Sequence, residues 1–515
     1  MADIKREQER DELHRAIWSI ADGLRGSVDG WDFKSYVLGT MFYRYISENL
    51  TSYINAGEID AGDTDFDYAK LPDSVAEEIR DEMINSKGFF MLPSELFCNV
   101  RQRAAQDENL NETLEKVFNH IEESAKGTIS EASFAGLFDD FDVNSNKLGA
   151  TVAKRNEKLC KLLNGIGDMK LGEFKENQID AFGDAYEFLM TMYASNAGKS
   201  GGEFYTPSEV SEMLVRLGTV GKKQVNKVYD PACGSGNFLT ESYLCLRQLE
   251  NRILFELQGE QASFSFEDSG DRDVLVSLKN FHGIELEDFA CCVARTALWI
   301  AEKQVDTDTA KVTQRVYQEL PLTDYEGIVN ANALRIDWND VVSADEVDYV
   351  LGNPPFIGSS RLEDAQKEDR TAIFGKSAGL LDYVACWHKK AAEYMDGHRV
   401  RCAFVSTNSI CQGQQVEPLW KPLFDNGVHI DFAYKTFVWD SQASDKANVH
   451  VVIVGFSKSP DMQPLLFSST GATKADNING YLSNAPDVFV EKRRKPLCSV
   501  PKMSRGGGAG DWGFL

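Results

Sequence analysis

Along the first third of the chain, apolar residues recur at helical spacing. Val37, Met41 and Tyr45 repeat every four positions, as do Leu38, Phe42 and Ile46, which predicts a helix with one broad apolar face. Ser74-x-x-Glu77 ahead of Ile79 reads as a capping box, and the acidic stretch from Glu58 to Asp67, with Gly62, reads as a surface loop. Helical pattern continues from about residue 170 through DAYEFLMTMYASNAG, until glycines and Pro207 break it. Past residue 225 the period changes. Short apolar runs alternate with helical stretches: KVYD before FLTESYLCLRQLE, FHGIELE before FACCVARTALWIAEK, then VDYVLGNPPF, RCAFVSTNSI, VHIDFAYKTF and NVHVVIVGFSK. Strands alternating with helices predict βαβ units and an α/β, doubly wound, mainly parallel sheet. A polar stretch with no helical pattern joins the last two runs, which predicts an antiparallel edge strand. After 460 the pattern fades into SSTGATKADNINGYLSN, and RGGGAGDWGFL reads like a domain cut short. The expected division is a helical domain over 1–165, an α/β domain over 166–460 and an extension over 461–515.

Composition changes this picture in one respect. The chain has 515 residues and a formal net charge of −26. Phosphate contacts call for clustered Lys and Arg, so a nucleic-acid enzyme of this charge would rely on a basic partner for DNA contacts. Otherwise its substrate lies elsewhere. The one basic cluster of note, Lys492 to Lys495 after Glu491, is short enough to be a solvated surface run. No apolar run has the length of a membrane span, and the charged opening MADIKREQERDELHRAIW has no signal-peptide core. The ten cysteines are scattered without a CxxC pair, and only Cys291 and Cys292 are adjacent. The expectation is free thiols in a cytoplasmic protein, with no zinc site.

Three segments carry candidate chemistry. The first is Asp230-Pro231-Ala232-Cys233-Gly234-Ser235-Gly236-Asn237-Phe238, between a strand and a helix. Glycines at such a turn let a ligand approach the backbone, and the helix start offers free N–H groups. A dinucleotide fingerprint would need a third glycine where Leu239 stands. The second is Glu285, an acid at the end of the next strand and placed to accept hydrogen bonds from ribose hydroxyls. The third is Asn353-Pro354-Pro355-Phe356 after the strand VDYVLG. Two prolines stiffen the backbone and remove two donors, leaving the Asn353 side-chain oxygen and the Pro354 carbonyl as fixed acceptors. Two acceptors match the two hydrogens of a planar NH2 group, and Phe356 offers a face for stacking a base. Gly198-Lys199-Ser200 is no phosphate loop, because the required earlier glycine falls at Tyr193. The seven histidines lack metal-ligand spacing, and Cys233 has no apparent base beside it.

Together, GGEFYTP (201–207), DPACGSGNF, GIELED and GNPPF resemble the motif series of amino-type DNA methyltransferases of the gamma order. Residues 1 to about 236 are similar to the modification subunit of type I restriction–modification systems. From about 237 onward the chain looks more like the methyltransferase half of single-chain type IIL restriction–methylation enzymes. The resemblance implies a helical domain followed by a Rossmann-like class I S-adenosylmethionine-dependent methyltransferase domain, modifying N6 of a flipped adenine. It implies that Glu203, Tyr205, Thr206 and Pro207 cover the methionine part of the cofactor. Asp230, Pro231, Ala232, Gly234, Ser235, Gly236, Asn237 and Phe238 would line the cofactor, with Glu285 on its ribose and Asn332 and Ala333 near its adenine. Many relatives carry Asp at the position of Asn332. Asn353, Pro354, Pro355 and Phe356 would grip the target base, with Phe437 stacking on its other side. The implied partners are DNA, a specificity (S) subunit and, in a full system, a restriction subunit, with no membrane. Methylation of cytosine N4, RNA guanine or protein glutamine uses the same Asn-Pro-Pro-aromatic chemistry, and an idle remnant that only binds DNA or a specificity subunit would keep the same fold.

Overall fold

The computed structural model describes residues 11–20, 30–128, 131–134, 137–138, 141–169, 210, 213–216, 227–260, 274–313, 325, 327–375, 379–439, 449–459, 463–490 and 499. Helix α1 (Gly30–Asp60) contains both four-residue repeats. Val37, Met41 and Tyr45 are buried, and so are Leu38, Phe42 and Ile46. Two buried stripes leave little of residues 36–50 for water, so this part of α1 runs through the N-terminal unit rather than over it, while residues 56–59, near its end, are exposed. Helix α3 (Val152–Asp168) packs against both α1 and α2 (Leu110–Ala125). Thr151 caps the start of α3 by accepting the Lys154 N–H. At its other end Arg44, from α1, donates to the carbonyls of Ile166 (2.7 Å) and Met169 (2.9 Å), where a cation suits the unpaired carbonyls. The predicted capping box does not form. The short helix Asp73–Ala76 starts after Pro72 with no side-chain cap, and the Asp73 carboxylate accepts from Ser94 N instead. The acidic stretch is partly helical, since α1 runs to Asp60 before the chain turns at Gly62.

Among the described residues, nine strands form one sheet, in the order β3-β2-β1-β4-β5-β7-β6-β8-β9. They are β1 (Lys227–Asp230), β2 (Phe281–Glu285), β3 (Ile328–Asn330), β4 (Val347–Gly352), β5 (Arg401–Thr407), β6 (His429–Trp439), β7 (Val449–Ser457), β8 (Leu465–Ser468) and β9 (Gly471–Lys474). Strands β1 to β5 pair in parallel, as the alternation with helices predicts. The burial period is two. Val228, Tyr349, Leu351, Ala403, Val405, Val451 and Ile453 enter the core shared with α4 (Asn237–Glu260) and α5 (Asp288–Thr313). Tyr229, Val350, Cys402, Phe404, Val452 and Val454 enter the core on the other face, with Trp387 and Ala391 of α7 (Ala385–Tyr394) and Leu419 and Trp420 of α8 (Val416–Asp425). Both faces are covered, which is why these strands read as nearly continuous apolar runs.

Two expectations about the sheet are corrected. The antiparallel strand is not at an edge, because β7 lies between β5 and β6 and pairs antiparallel with both. The order also continues past 460. Strand β8 pairs in parallel with β6, and Leu466, Ala475, Ile478 and Leu482 are buried in the same core as Trp420. Small and polar residues such as Ser468 and Gly471 obscured this short hairpin.

Helices α4 and α5 are held together by a buried cation. The fully buried Arg247 donates to Glu250 (3.2 Å), Asp306 (2.9 Å) and Thr309 (2.9 Å). Glu250 also accepts from Leu275 N, anchoring the approach to β2. Arg247→Ala leaves two carboxylates without their shared cation and should cost about 3–5 kcal/mol of stability. A urea midpoint unchanged from that of the natural chain would show that the cluster contributes nothing.

Candidate active site

Strand β1 ends at Asp230, whose side chain is out of solvent. One of its oxygens, Oδ1, accepts from Ala232 N (2.9 Å), while Oδ2 is buried with no hydrogen-bond partner among the described residues. The chain then reverses through two glycines with positive φ. Gly234 (φ +53°) has no atom of the described residues within 4 Å of where a Cβ would stand, so among them its surface is open to a ligand. Gly236 (φ +85°) has the opposite reason to lack a side chain: a Cβ there would lie 3.0 Å from Ala294 of α5. Helix α4 follows at once from Asn237, and Phe238 is buried in the core beneath it. Ser235 Oγ donates to Asn237 Oδ1 (3.0 Å).

Strand β2, paired beside β1, ends at the half-buried Glu285. Its carboxylate accepts from Gly234 N (2.9 Å) and from the amides of Leu286 (2.8 Å) and Glu287 (2.9 Å). It therefore ties the glycine turn to the end of the next strand. Three donors leave one of about four carboxylate lone-pair sites, so a diol taking two bonds would displace the Gly234 N–H. Burial raises the Glu285 pKa, and the three N–H groups oppose that rise. Leu286, next along, is 64% exposed, an apolar side chain at the ligand edge that the sequence reading missed.

The loop after β3 is stitched to the same edge, with Ala331 N donating to Glu285 O (2.9 Å). Asn332 accepts from Leu334 N and donates to Asp369 (3.3 Å), while Ala333 is buried and its carbonyl accepts from Trp338 Nε1. Asp369, on α6 (Asp364–Phe374), also accepts from Arg335 (2.7 Å) and Tyr383 Oη (2.8 Å). This explains the Asn at 332: an Asp there would face the Asp369 carboxylate, whereas the amide donates to it.

On the other side of β1, β4 ends at Gly352, where a Cβ would come within 2.7 Å of Asp230 Oδ1. Asn353 therefore leaves the sheet beside Asp230, with its side-chain oxygen out of solvent. Pro354 is buried and Pro355 half-buried. Phe356 is 6% exposed and belongs to the core that Tyr434 and Phe437 pack against. It thus presents no open face here, contrary to expectation, and stacking on a base would require its neighbours to give way. Tyr434 meets Phe437 edge-on at 5.2 Å, a second aromatic residue that the sequence reading missed. Trp387 was also missed. From α7 it donates to the carbonyl of Pro231 (3.0 Å), fixing the first half of the glycine turn from below. The four-residue spacing of Tyr383 and Trp387 was the available signal. Glu203, Tyr205, Thr206 and Pro207 lie outside the described residues, as do Gly198 to Ser200 and the basic run at 492–495. Among the described residues no group of three His, Cys, Asp or Glu could hold a metal ion, and no helix is long and apolar enough to cross a membrane.

The two site carboxyls differ in how strongly they resist ionisation. Burial above all, with the Glu285 charge adding to it, pushes Asp230 up to about 8, against the pull of the Ala232 N–H. The folded pKa lies above the ordinary value of 3.8, so the neutral form favours folding. That contribution is complete below about pH 4, declines as pH rises and is lost by about pH 8. Asp230→Asn cannot ionise. Without ligand, its melting temperature should gain on that of the natural chain as pH rises, with the gap levelling off above about pH 8. Parallel melting curves at every pH would mean that Asp230 is ionised in the folded chain.

Comparison with known proteins agrees with this architecture. The family described as "MmeI, DNA-methyltransferase domain" matches residues 209–468, and the HsdM N-terminal domain matches residues 13–166. The type I restriction enzyme MpnII methylase subunit of Mycoplasma pneumoniae is 50% identical over 46% of this chain and 45% of its own length. DNA methyltransferase A of Bacillus subtilis is 39% identical over 60% of this chain and 34% of its own length. The chain thus spans less than half the length of either relative. The solved structure of the type IIL restriction–modification enzyme MmeI in complex with DNA superposes on it with a TM-score of 0.56 at 27% identity. That superposition covers 96% of this chain and 63% of MmeI. With more than half of its residues inside the first match and the sheet order seen here, the chain belongs to the family of the MmeI DNA-methyltransferase domain, with an HsdM-type helical unit ahead of it.

Proposed function

We propose that this chain transfers a methyl group from S-adenosylmethionine to N6 of an adenine flipped out of duplex DNA, as the modification component of a restriction–modification system. One observation carries the reading. Asp230, Glu285 and Asn353 stand at the C-terminal ends of three adjacent parallel strands, in the order β2-β1-β4. Ligands of open α/β sheets bind at that edge. The names of the relatives, methylase subunit and DNA methyltransferase, and the DNA-bound state of MmeI point the same way.

The residues present fit the cofactor. The orphaned Asp230 oxygen suits a cationic or hydrogen-bonding group, the open Gly234 surface admits close approach, and Glu285 can receive ribose hydroxyls. When bound, the cofactor supplies a strongly electrophilic methyl group on a sulfonium. The protein's part is orientation. The Asn353 side-chain oxygen and the Pro354 carbonyl accept the two hydrogens of the target NH2, which turns the nitrogen lone pair towards the methyl. Acceptors held rigid before the reaction spend nothing on reorganisation in the transition state. Flipping the base costs a few kcal/mol, offset by these bonds and by stacking on Phe356, Tyr434 and Phe437 once they part. With a net charge of −26, the chain depends on a specificity subunit for much of its phosphate contact.

Two substitutions separate binding from chemistry. Glu285→Ala should weaken S-adenosylmethionine binding in calorimetry by about 1.5–3 kcal/mol per lost charged hydrogen bond. Asn353→Ala should bind the cofactor normally yet transfer labelled methyl to DNA about 100-fold more slowly or worse. Transfer at the natural rate in Asn353→Ala would remove Asn353 from the reaction and with it the proposed mechanism.

A further inference from the structure

The Asn-Pro-Pro-Phe segment has no regular structure, and its two prolines supply no N–H with which to fasten it. Besides the burial of Phe356 in the core, backbone contacts downstream fasten the segment that follows it. Ser359 N donates to Asp382 Oδ1 (2.9 Å), and Ile357 O accepts from Tyr383 N (2.9 Å). The other oxygen of Asp382 accepts from Ser409 Oγ and from Thr407 Oγ1 (3.4 Å), where β5 ends. Asp382 is itself buried and fixed on both sides. Its own N–H donates to Gln415 (3.0 Å), ahead of α8, and the buried Arg370 donates to the carbonyl of Leu381 (2.9 Å). One carboxylate thus bridges the segment after Phe356 to the end of β5.

We propose that Asp382 is a positioning residue for methyl transfer, setting the place of Asn353 and Phe356 through Ser359 without touching either reactant. The proposal rests on the methyl-transfer reading. Its chemistry is that of an acceptor, since both Asp382 oxygens receive hydrogen bonds and the two hydroxyls facing it can donate or accept. Charge is therefore dispensable and geometry is not. In Asp382→Asn, the amide oxygen keeps the Ser359 N–H while the hydroxyls rotate to accept from the NH2. In Asp382→Ala all three contacts are lost.

The test uses the full chain with its specificity subunit, tritiated S-adenosylmethionine and unmethylated duplex DNA, alongside hydrogen exchange of the peptide 357–361. Asp382→Ala should exchange faster there, bind S-adenosylmethionine as the natural chain does, and lose about 100-fold in kcat, the scale of a reactant displaced by an ångström. Asp382→Asn should stay close to the natural chain in all three readings. If Asp382→Ala does not fold, the Thr407→Val, Ser409→Ala double variant releases the far side of the bridge and should give faster exchange and a lower kcat. Faster exchange with unchanged kcat would overturn the proposal. So would Asp382→Asn falling as far as Asp382→Ala with exchange unchanged, because the charge itself would then be acting. A natural chain that binds cofactor but transfers no methyl would overturn the methyl-transfer reading and this proposal together, whereas a loss confined to the Asp382 variants leaves that reading standing.

Discussion

Parallel pairing of β2, β1 and β4 brings three chain reversals to one edge of the sheet, and everything proposed for this protein depends on that juxtaposition. Parallel strands must all leave at the same end, so their loops compete for the same small volume. Glycines relieve the crowding at Gly236, where α5 presses on the turn, and at Gly352, where β4 passes Asp230. Glu285 then binds the Gly234 amide and sets the distance between the ends of β1 and β2. The cost is two carboxyls whose ionisation burial resists, a locally unfavourable arrangement of the kind that functional sites carry.

Helix α5 extends this edge to the rest of the molecule. It begins at Asp288, three residues after Glu285, and Ala294 packs on Gly236. Val293 and Trp299 turn the other way and join the core of the N-terminal helical unit, where Trp299 meets Tyr45 of α1 edge-on at 5.6 Å. One helix thus borders both the glycine turn and the N-terminal unit.

Features set by local physics were legible in the sequence. The apolar runs at β1, β4 and β5 and the four-residue repeats of α1 announce themselves by period, and the glycine turn and Asn353 by residue type. Features set by contacts distant in sequence were not. Nothing near Asn332 signals that Asp369 supplies its partner, and nothing near Pro231 signals that Trp387, 156 residues on, holds its carbonyl. The insertion of β7 between β5 and β6 is a choice of pairing partner that alternation alone does not specify. Ser74 and Glu77 show the reverse failure. They satisfy a local capping pattern, but the chain enters that helix through Pro72, so the helix starts before Ser74 and Asp73 turns to Ser94 instead.

We propose above that this sheet edge methylates the exocyclic amino group of adenine. The most direct measurement is the identity of the product base. DNA incubated with the chain, its specificity subunit and labelled S-adenosylmethionine would be digested to nucleosides and separated. All of the label should appear in N6-methyldeoxyadenosine. Label in N4-methyldeoxycytidine would contradict the choice of base, and label on a ring carbon would contradict the amino-group chemistry assigned to Asn353.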